Sequence, residues 1–284
     1  MTMKFYDAHI HFYLKSPAEE LKPVFSRLIK NGLVGFNALV FTEFPTEIQT
    51  TLKMVPGLYH DSVSLPALEM SRDPFPYFEL AKPLEVIPFV DARFIDNGIE
   101  EKMERLKQRG FKGLKLLYIP EEDRAIRVEG MEQAFGRPLK KSEEVTARLI
   151  DSASSQEMCV LLHVDLRRYG DFVKEMIRSH PKTNFNIPHF GSSRKAMSHL
   201  LEAYPNCYTD TSSLVPFIME DPVSYKSFIL QYQDRVLYGS DALISNSEHV
   251  ESTLKFVDQF LDDQEILHKL TCKNYLAFHG MSGF

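Results

Sequence analysis

The sequence predicts an α/β fold: a barrel of eight parallel strands surrounded by helices. Eight short apolar runs recur along the chain, and charged segments with helical periodicity separate them. This alternation is typical of a parallel sheet covered by helices. Eight such units in 284 residues fit a (β/α)₈ TIM barrel, with an open doubly wound sheet as the alternative fold. No glycine-rich dinucleotide motif follows the first run, and its absence argues against the open sheet.

The eight predicted strands are apolar in their interior and end near polar or turn residues. They comprise residues 4–11, 34–42, 85–91, 112–118, 158–164, 184–190, 206–210 and 235–241. Two longer segments, 45–83 and 119–140, follow the second and fourth strands. We expect both to elaborate the carboxyl end of the barrel, where active sites of this fold are built. Without a repeat or a linker in the sequence, we predict a single domain over residues 1–284.

The composition is that of a globular protein and excludes several functional classes. A net charge of −6 without any Lys/Arg-rich run argues against a nucleic-acid partner. The three cysteines are far apart, which argues against a disulfide framework or a CxxC zinc site. No apolar run approaches the roughly 20 residues that span a bilayer. With no secretion-signal pattern at the start, we expect a cytoplasmic protein acting on a small molecule, and a homodimer is compatible with this fold.

Polar side chains stand at the ends of four predicted strands. In the first strand, Asp7, His9 and His11 share one face because side chains alternate along a strand. The fifth strand ends near His163, the sixth near His189 and the eighth at Asp241. Histidine and aspartate side chains are common metal ligands. The carboxyl ends of the strands meet at one mouth of a barrel, so we expect these side chains to converge there.

Three imidazoles and one carboxylate form a plausible ligand set for a divalent metal. We predict that His9, His11, His163 and Asp241 bind one metal, with Zn²⁺ as the expected ion and Mn²⁺ as the alternative. The metal lowers the pKa of a bound water, and Asp241 is placed to take its proton. His189 is the candidate acid/base or substrate-orienting group. Asp7 either fixes the tautomer of an imidazole or caps the strand.

Two cationic side chains near strand ends are candidate substrate ligands. Lys115 lies inside an apolar strand, where lysine is unusual. It is interpreted as a residue that reaches the mouth or pairs with a carboxylate there, and the alternative is a carbamylated lysine that bridges two metals. Arg93 follows the third strand and is placed either to bind a substrate carboxylate or to form a structural ion pair. The segment 210–213 after the seventh strand is interpreted as turn capping.

Taken together, these motifs resemble the amidohydrolase superfamily, and in particular its amidohydrolase-related branch that includes aminocarboxymuconate-semialdehyde decarboxylase. YDAHIH is similar to the first-strand DxHxH motif, VLLHVD to the fifth-strand histidine, NIPHFG to the sixth-strand element and RVLYGSDALI to the eighth-strand GSD element. The resemblance covers most of the chain. Two features depart from the family: Ala242 follows Asp241 where GSDxP is usual, and the segment 57–83 has no recognisable counterpart.

The resemblance implies a metal-dependent (β/α)₈ barrel in which His9, His11, His163 and Asp241 bind the metal and His189 lies near the substrate. It also implies either a hydrolase of a small carboxylated or cyclic ester or amide, or a non-oxidative decarboxylase of an aromatic or unsaturated acid. Hydrolysis is the favoured reaction because it is commoner in the wider superfamily. A metal-dependent phosphoesterase and a catalytically silent barrel are the remaining alternatives.

Overall fold

The protein is described here from a computed structural model, which covers residues 3–13, 18–45 and 47–281. Its strands are β1 Phe5–His11, β2 Leu33–Val40, β3 Glu85–Asp91, β4 Gly113–Leu117, β5 Cys159–His163, β6 Phe185–Ile187, β7 Cys207–Asp210, β8 Val236–Leu237 and β9 Ala242–Leu243. From β1 to β8, each strand pairs in parallel with the next strand along the chain. The positions of the eight predicted strands are therefore confirmed to within a few residues.

The ninth strand is the second half of an interrupted eighth unit, and it closes the barrel. β8 pairs with β7, whereas β9 pairs with β1 on the other side. The residues between β8 and β9 also bond to β1, since Ala8 N donates to Tyr238 O at 2.9 Å and Asp241 N donates to His9 O at 2.9 Å. The predicted (β/α)₈ class is confirmed, and the extra strand reflects this local break at the site.

Helices follow the strands and cover the outside of the sheet. They are α1 Ala18–Lys30, α2 Ile48–Lys53, α3 Leu65–Ser71, α4 Phe75–Leu80, α5 Ile99–Gln108, α6 Gly130–Phe135, α7 Leu139–Ser155, α8 Leu166–Ser179, α9 Arg194–Ala203, α10 Val215–Glu220, α11 Pro222–Gln231, α12 Ser247–Leu261, α13 Gln264–His268 and α14 Asn274–Phe278. Within the described part of the chain, no helix is both long and apolar enough to cross a membrane.

Helix α5 illustrates how the sequence sets these outer elements. Ile99, Met103 and Leu106 are buried and fall on one face because they are four and three residues apart. Acidic residues occupy its first turn and basic residues its last turn, an arrangement that complements the helix dipole. Truncating a fully buried side chain such as Leu106 to Ala would cost about 2–5 kcal/mol of folding free energy.

The long segment after β2 is more helical than the loop that we expected. Its residues 47–83 contain α2, α3, α4 and a 3₁₀ turn over Gly57–Ser62. The reason is a small apolar cluster in which Val55, Val63 and Leu68 of this segment pack with Tyr13 and Phe41 of the barrel. Burial of these side chains gives short helices a tertiary support that their own length would not provide.

Candidate metal centre

Two histidines of β1 and one aspartate after β8 converge at the carboxyl end of the barrel. His11 Nε2 lies 2.9 Å and His9 Nε2 lies 3.2 Å from the same atom, Asp241 Oδ1. His9 and His11 are nearly fully buried, and the Asp241 side chain is 12% exposed. Barrel closure therefore brings together side chains that are about 230 residues apart in sequence.

His9 is held from behind by the loop after β7. Asp210 Oδ2 lies 3.2 Å from His9 Nδ1, and the Ser212 hydroxyl lies 3.2 Å from the same nitrogen. An ionised carboxylate only accepts hydrogen bonds, so a neutral His9 bonded to it carries its proton on Nδ1 and leaves a lone pair on Nε2. This is the arrangement that usually fixes the tautomer of a metal-binding histidine.

Asp210 is the centre of the polar network around the cluster. Besides His9, it accepts hydrogen bonds from Asn186 Nδ2 at 2.8 Å, from the backbone N–H of His189 at 3.3 Å and from Ser212. Burial opposes ionisation of Asp210, but its hydrogen bond with His9 and the nearby imidazoles hold its pKa well below the ordinary value. The carboxylate is thus a permanent negative charge behind His9.

The sequence did not distinguish this loop from an ordinary turn. Asp210, Ser212 and Ser213 are residue types that cap turns as often as they support sites, and turn capping was the role we expected. In the structure Asp210 also caps the backbone N–H of Ser212 at 3.1 Å, so the expected role is present but incomplete. The one available signal was their position directly after a barrel strand.

Two hydroxyl groups hold Asp241 in place, one at its side chain and one at its backbone. The Ser213 hydroxyl donates to its Oδ2 at 2.5 Å, and the Tyr59 hydroxyl donates to its backbone carbonyl at 2.9 Å. Its backbone has a φ of 59°, a conformation that a non-glycine residue holds only with support. Burial would raise the pKa of Asp241, but the neighbouring His9 and the hydrogen bond with His11 keep it well below the ordinary value.

His11 lies against an aromatic wall. Its ring centroid is 5.0 Å from that of Tyr13 and 5.1 Å from that of Tyr59. Burial lowers the pKa of His11 to about 4, so the imidazole is neutral at pH 7 and one of its nitrogens has a lone pair available for a ligand bond. Tyr59 belongs to the segment after β2, and this is how that segment reaches the centre.

His189 and His163 stand beside the cluster. His189 Nδ1 donates to the Ser212 carbonyl at 2.8 Å, which leaves its Nε2 free. The His189 ring centroid is 5.4 Å from that of His9 and 5.0 Å from that of His163. Four consecutive residues, 189–192, have positive φ, so β6 ends in a strained left-handed turn that sets the direction of His189. His163 is not part of the closest group, and its assignment as a ligand stays a prediction.

Asp7 supports the main chain rather than an imidazole. Its Oδ1 accepts from the backbone N–H of His9 at 2.9 Å and from that of Ser240 at 3.1 Å. The expected second role, fixing an imidazole tautomer, belongs to Asp210. Burial raises the pKa of Asp7 to about 7, although its hydrogen bonds with Ser240 and His9 oppose the rise. Its other oxygen has no hydrogen-bond partner among the described residues.

The two cationic candidates differ sharply. Arg93 forms a bidentate pair with Asp91, with contacts of 2.8 and 2.5 Å, and donates to Met54 O at 2.5 Å, which is the structural ion pair considered from the sequence. Lys115 is only 2% exposed, and it makes no hydrogen bond or ion pair with any residue that the structure describes. Of the two structural roles considered for Lys115, the structure shows a side chain that reaches the mouth of the barrel, where it lines the cavity, and no ion pair with a carboxylate among the described residues.

A cavity of about 1300 Å³ opens above the cluster. His9, His11, His163, His189, Asp241, Arg93 and Lys115 all contribute to its lining. Every candidate site residue except Asp7 thus faces one space, and Asp7 lies just behind it. The cavity is large enough for a small organic substrate.

The side chains present fit a divalent metal. His9 Nε2 is buried without a hydrogen-bond partner in the described structure, which is costly unless another group completes it. One ligand atom from each of His9, His11 and Asp241 lies within 4.8 Å of the others. Ligand atoms about 2.0–2.1 Å from a tetrahedral metal are about 3.3 Å apart, close to the 2.9 and 3.2 Å seen here.

Solved structures with the same fold include several hydrolases. A phosphotriesterase homology protein from Escherichia coli is 10% identical, with a TM-score of 0.57 and coverage of 98% of this chain and 99% of that chain. A TatD family hydrolase from Entamoeba histolytica is 11% identical, with a TM-score of 0.55 and 98% coverage of both chains. An amidohydrolase from Mycobacterium avium subsp. paratuberculosis K-10 is 14% identical, with a TM-score of 0.51, covering 90% and 73%.

At these identities the structural matches establish the fold alone. No curated protein sequence matches the chain significantly. The sequence profile described as amidohydrolase, in contrast, matches residues 6–278, a range that includes His9 and His11 of β1, the loop after β7 and Asp241. The chain therefore belongs to the amidohydrolase family, whose members are typically metal-dependent hydrolases.

Proposed function

We propose that this protein is a metal-dependent hydrolase of a small carboxylated or cyclic ester or amide. The observation that carries the proposal is the convergence of His9 Nε2 and His11 Nε2 on one oxygen of Asp241 at the base of the cavity. His163 is the proposed fourth ligand, since it lines the same cavity. Zn²⁺ suits this set of nitrogen and oxygen donors, and Mn²⁺ is the alternative ion.

The residues of the chain divide the proposed chemistry among them. A divalent metal, when bound, activates water and polarises a carbonyl group. Asp241 accepts the proton of the attacking water, because it is ionised at neutral pH and its Oδ2 is already oriented by Ser213. Asp210 and Ser212 hold His9 in the tautomer that leaves Nε2 unprotonated.

His189 is the residue that we propose for proton transfer to the leaving group. Its Nδ1 proton is engaged by the Ser212 carbonyl, so only Nε2 is free to exchange a proton with the substrate. As the water oxygen adds to the carbonyl carbon and the C–O or C–N bond breaks, His189 Nε2 takes up the proton that Asp241 removed from the water and passes it to the leaving atom. Tyr13 and Tyr59 flank His11 and limit access of bulk water from that side.

Metal content is the first test. Elemental analysis of the purified protein, without added metal, is expected to give about one divalent ion per chain. His9→Ala and His11→Ala should lose metal and activity together, while His249→Ala, which removes an exposed histidine of α12, should lose neither. Full metal occupancy in both β1 variants would contradict the proposed site.

Non-oxidative decarboxylation is the second candidate, favoured by the excess of cationic over anionic side chains around the cavity, which suits carboxylic acids. The two reactions are separated by their products. Turnover in ¹⁸O-labelled water places label in the product of hydrolysis, whereas decarboxylation releases CO₂ from an aromatic or unsaturated acid. Release of CO₂ without label incorporation at a carbonyl would replace the first proposal with the second.

A further inference from the structure

Lys115 is a buried lysine that has no ion pair or hydrogen bond with the residues that the structure describes. Its side chain lies on β4, is 2% exposed and lines the cavity, yet no described residue forms a hydrogen bond or an ion pair with it. The nearest strand neighbour in register, Asp91, is already occupied by both ends of the Arg93 guanidinium. A buried ammonium group without a compensating partner is strongly unfavourable, so such a residue usually completes its interactions with something that binds.

The charges around the cavity also favour an anionic ligand. Although the chain has a net charge of −6, eight Arg or Lys residues line this cavity and only four Asp or Glu residues do. Five of these cations are engaged by carboxylates: Arg93, Arg124, Arg167, Arg168 and Arg194. Lys115, Arg127 and Lys195 form no ion pair within the described chain.

The depth of these free cations differs. Lys115 lies at the base, where its charge contributes to the lowered pKa values of His11 and His163. Arg127, after β4, and Lys195, in the first turn of α9, are exposed at the rim. A deep unpaired cation beneath exposed cations forms an electrostatic funnel that attracts an anion and then binds it out of water.

We propose that the substrate is a small organic anion whose carboxylate or phosphate group is bound by Lys115, next to the His9–His11–Asp241 cluster. This inference rests on the proposed function and names its substrate class. This anionic group is separate from the ester or amide bond that is cleaved. Lys115 holds it at the β4 side of the cavity, so that the reacting carbonyl faces the cluster formed by β1 and Asp241.

Binding of matched probes tests the proposal directly. Benzoate, its neutral counterpart benzamide and inorganic phosphate are titrated calorimetrically into the purified protein and into Lys115→Met and Lys112→Met. Lys112 is the matched control, because it is an exposed lysine just before the same strand. The loss of a charge-assisted partner should weaken benzoate or phosphate binding by about 30-fold or more in Lys115→Met and leave benzamide unchanged. Preference for benzoate or phosphate identifies the anionic group.

Two further measurements separate the possible roles of Lys115. If it is an anion ligand, Lys115→Met keeps its metal and its thermal midpoint stays equal or rises, because a buried unpaired charge has been removed. Loss of metal in Lys115→Met would make Lys115 a metal ligand and overturn the proposal, as would equal binding of benzoate and phosphate to both proteins. Anion binding that depends on Lys115 in a protein that binds no metal would instead defeat the proposed function alone.

Discussion

Two buried polar clusters lie in this barrel, and they differ in whether their hydrogen-bonding groups are satisfied. In the first, Asn37 of β2 accepts from Tyr275 Oη at 2.8 Å and from His279 Nε2 at 2.9 Å, and it donates to Ala8 O at 3.1 Å. In the second, the metal centre, His9 Nε2 and the free oxygen of Asp7 lack a hydrogen-bond partner among the described residues.

The difference separates a structural network from a candidate site. A closed network fastens α14 to the barrel and gains its free energy on folding. An incomplete one costs free energy in the folded protein and recovers it when a ligand binds. Substitutions in the two clusters should therefore affect different measurements: the free energy of unfolding for the first, and metal content and turnover for the second.

Asp241→Asn should have the largest effect, because it removes the charge to which both imidazoles point. We expect activity to fall by more than the roughly 100-fold that loss of an outer partner costs, with metal content falling in parallel. Elemental analysis and steady-state kinetics measure both. Asp123→Asn removes a charge from the same cavity outside the cluster and serves as the control. Normal metal content in Asp241→Asn would remove this residue from the ligand set.

Asn37→Leu should reverse that pattern. It leaves Tyr275 Oη, His279 Nε2 and Ala8 O without their partner, at a cost of about 3 kcal/mol in the free energy of unfolding. Urea denaturation measures this cost, and Asn97→Leu, at an exposed position, should change stability by less than about 0.5 kcal/mol. Metal content of the folded Asn37→Leu protein should be unchanged. A loss of metal without a loss of stability would erase the distinction between the clusters.

Asp210→Asn tests the support behind the metal centre. The amide keeps the shape of the carboxylate but no longer fixes the proton of His9 on Nδ1. Metal affinity should fall by about 10- to 100-fold, as measured by competition with a chelator. Asp234→Asn, at an exposed position, is the control. An unchanged affinity would return Asp210 to the turn-capping role that the sequence suggested.

Because the Asn37 cluster contains a buried neutral histidine, we expect the free energy of unfolding to fall at acid pH. Burial lowers the pKa of His279 to about 3, against an ordinary value of 6.5. Neutral His279 is favoured in the folded state, so its contribution is complete above pH 6.5 and is lost as the pH falls towards 3. About 2 kcal/mol should disappear between pH 6.5 and 5. Urea denaturation at both pH values should show a smaller loss for His279→Gln, and identical losses would contradict the assignment.

The sequence by itself determined the fold and most of the candidate side chains. Alternation along β1 put His9 and His11 on one side, and the order of apolar runs predicted a barrel whose strand ends would meet. Both inferences depend on local periodicity, which a single sequence records directly. Asp241 was identified from another local pattern, the GSD element of the eighth strand.

Only the tertiary structure decided which polar residues complete one another. Asp210 and Ser212 look like turn residues in the sequence, and the sequence leaves open whether Lys115 reaches the mouth of the barrel or pairs with a carboxylate there. Their roles depend on distances between strands far apart in the chain: Asp210 meets His9 across 201 positions, whereas Asp91, beside Lys115, is taken by Arg93. Hydrogen-bond satisfaction is a property of three-dimensional neighbours, so no local pattern contains it.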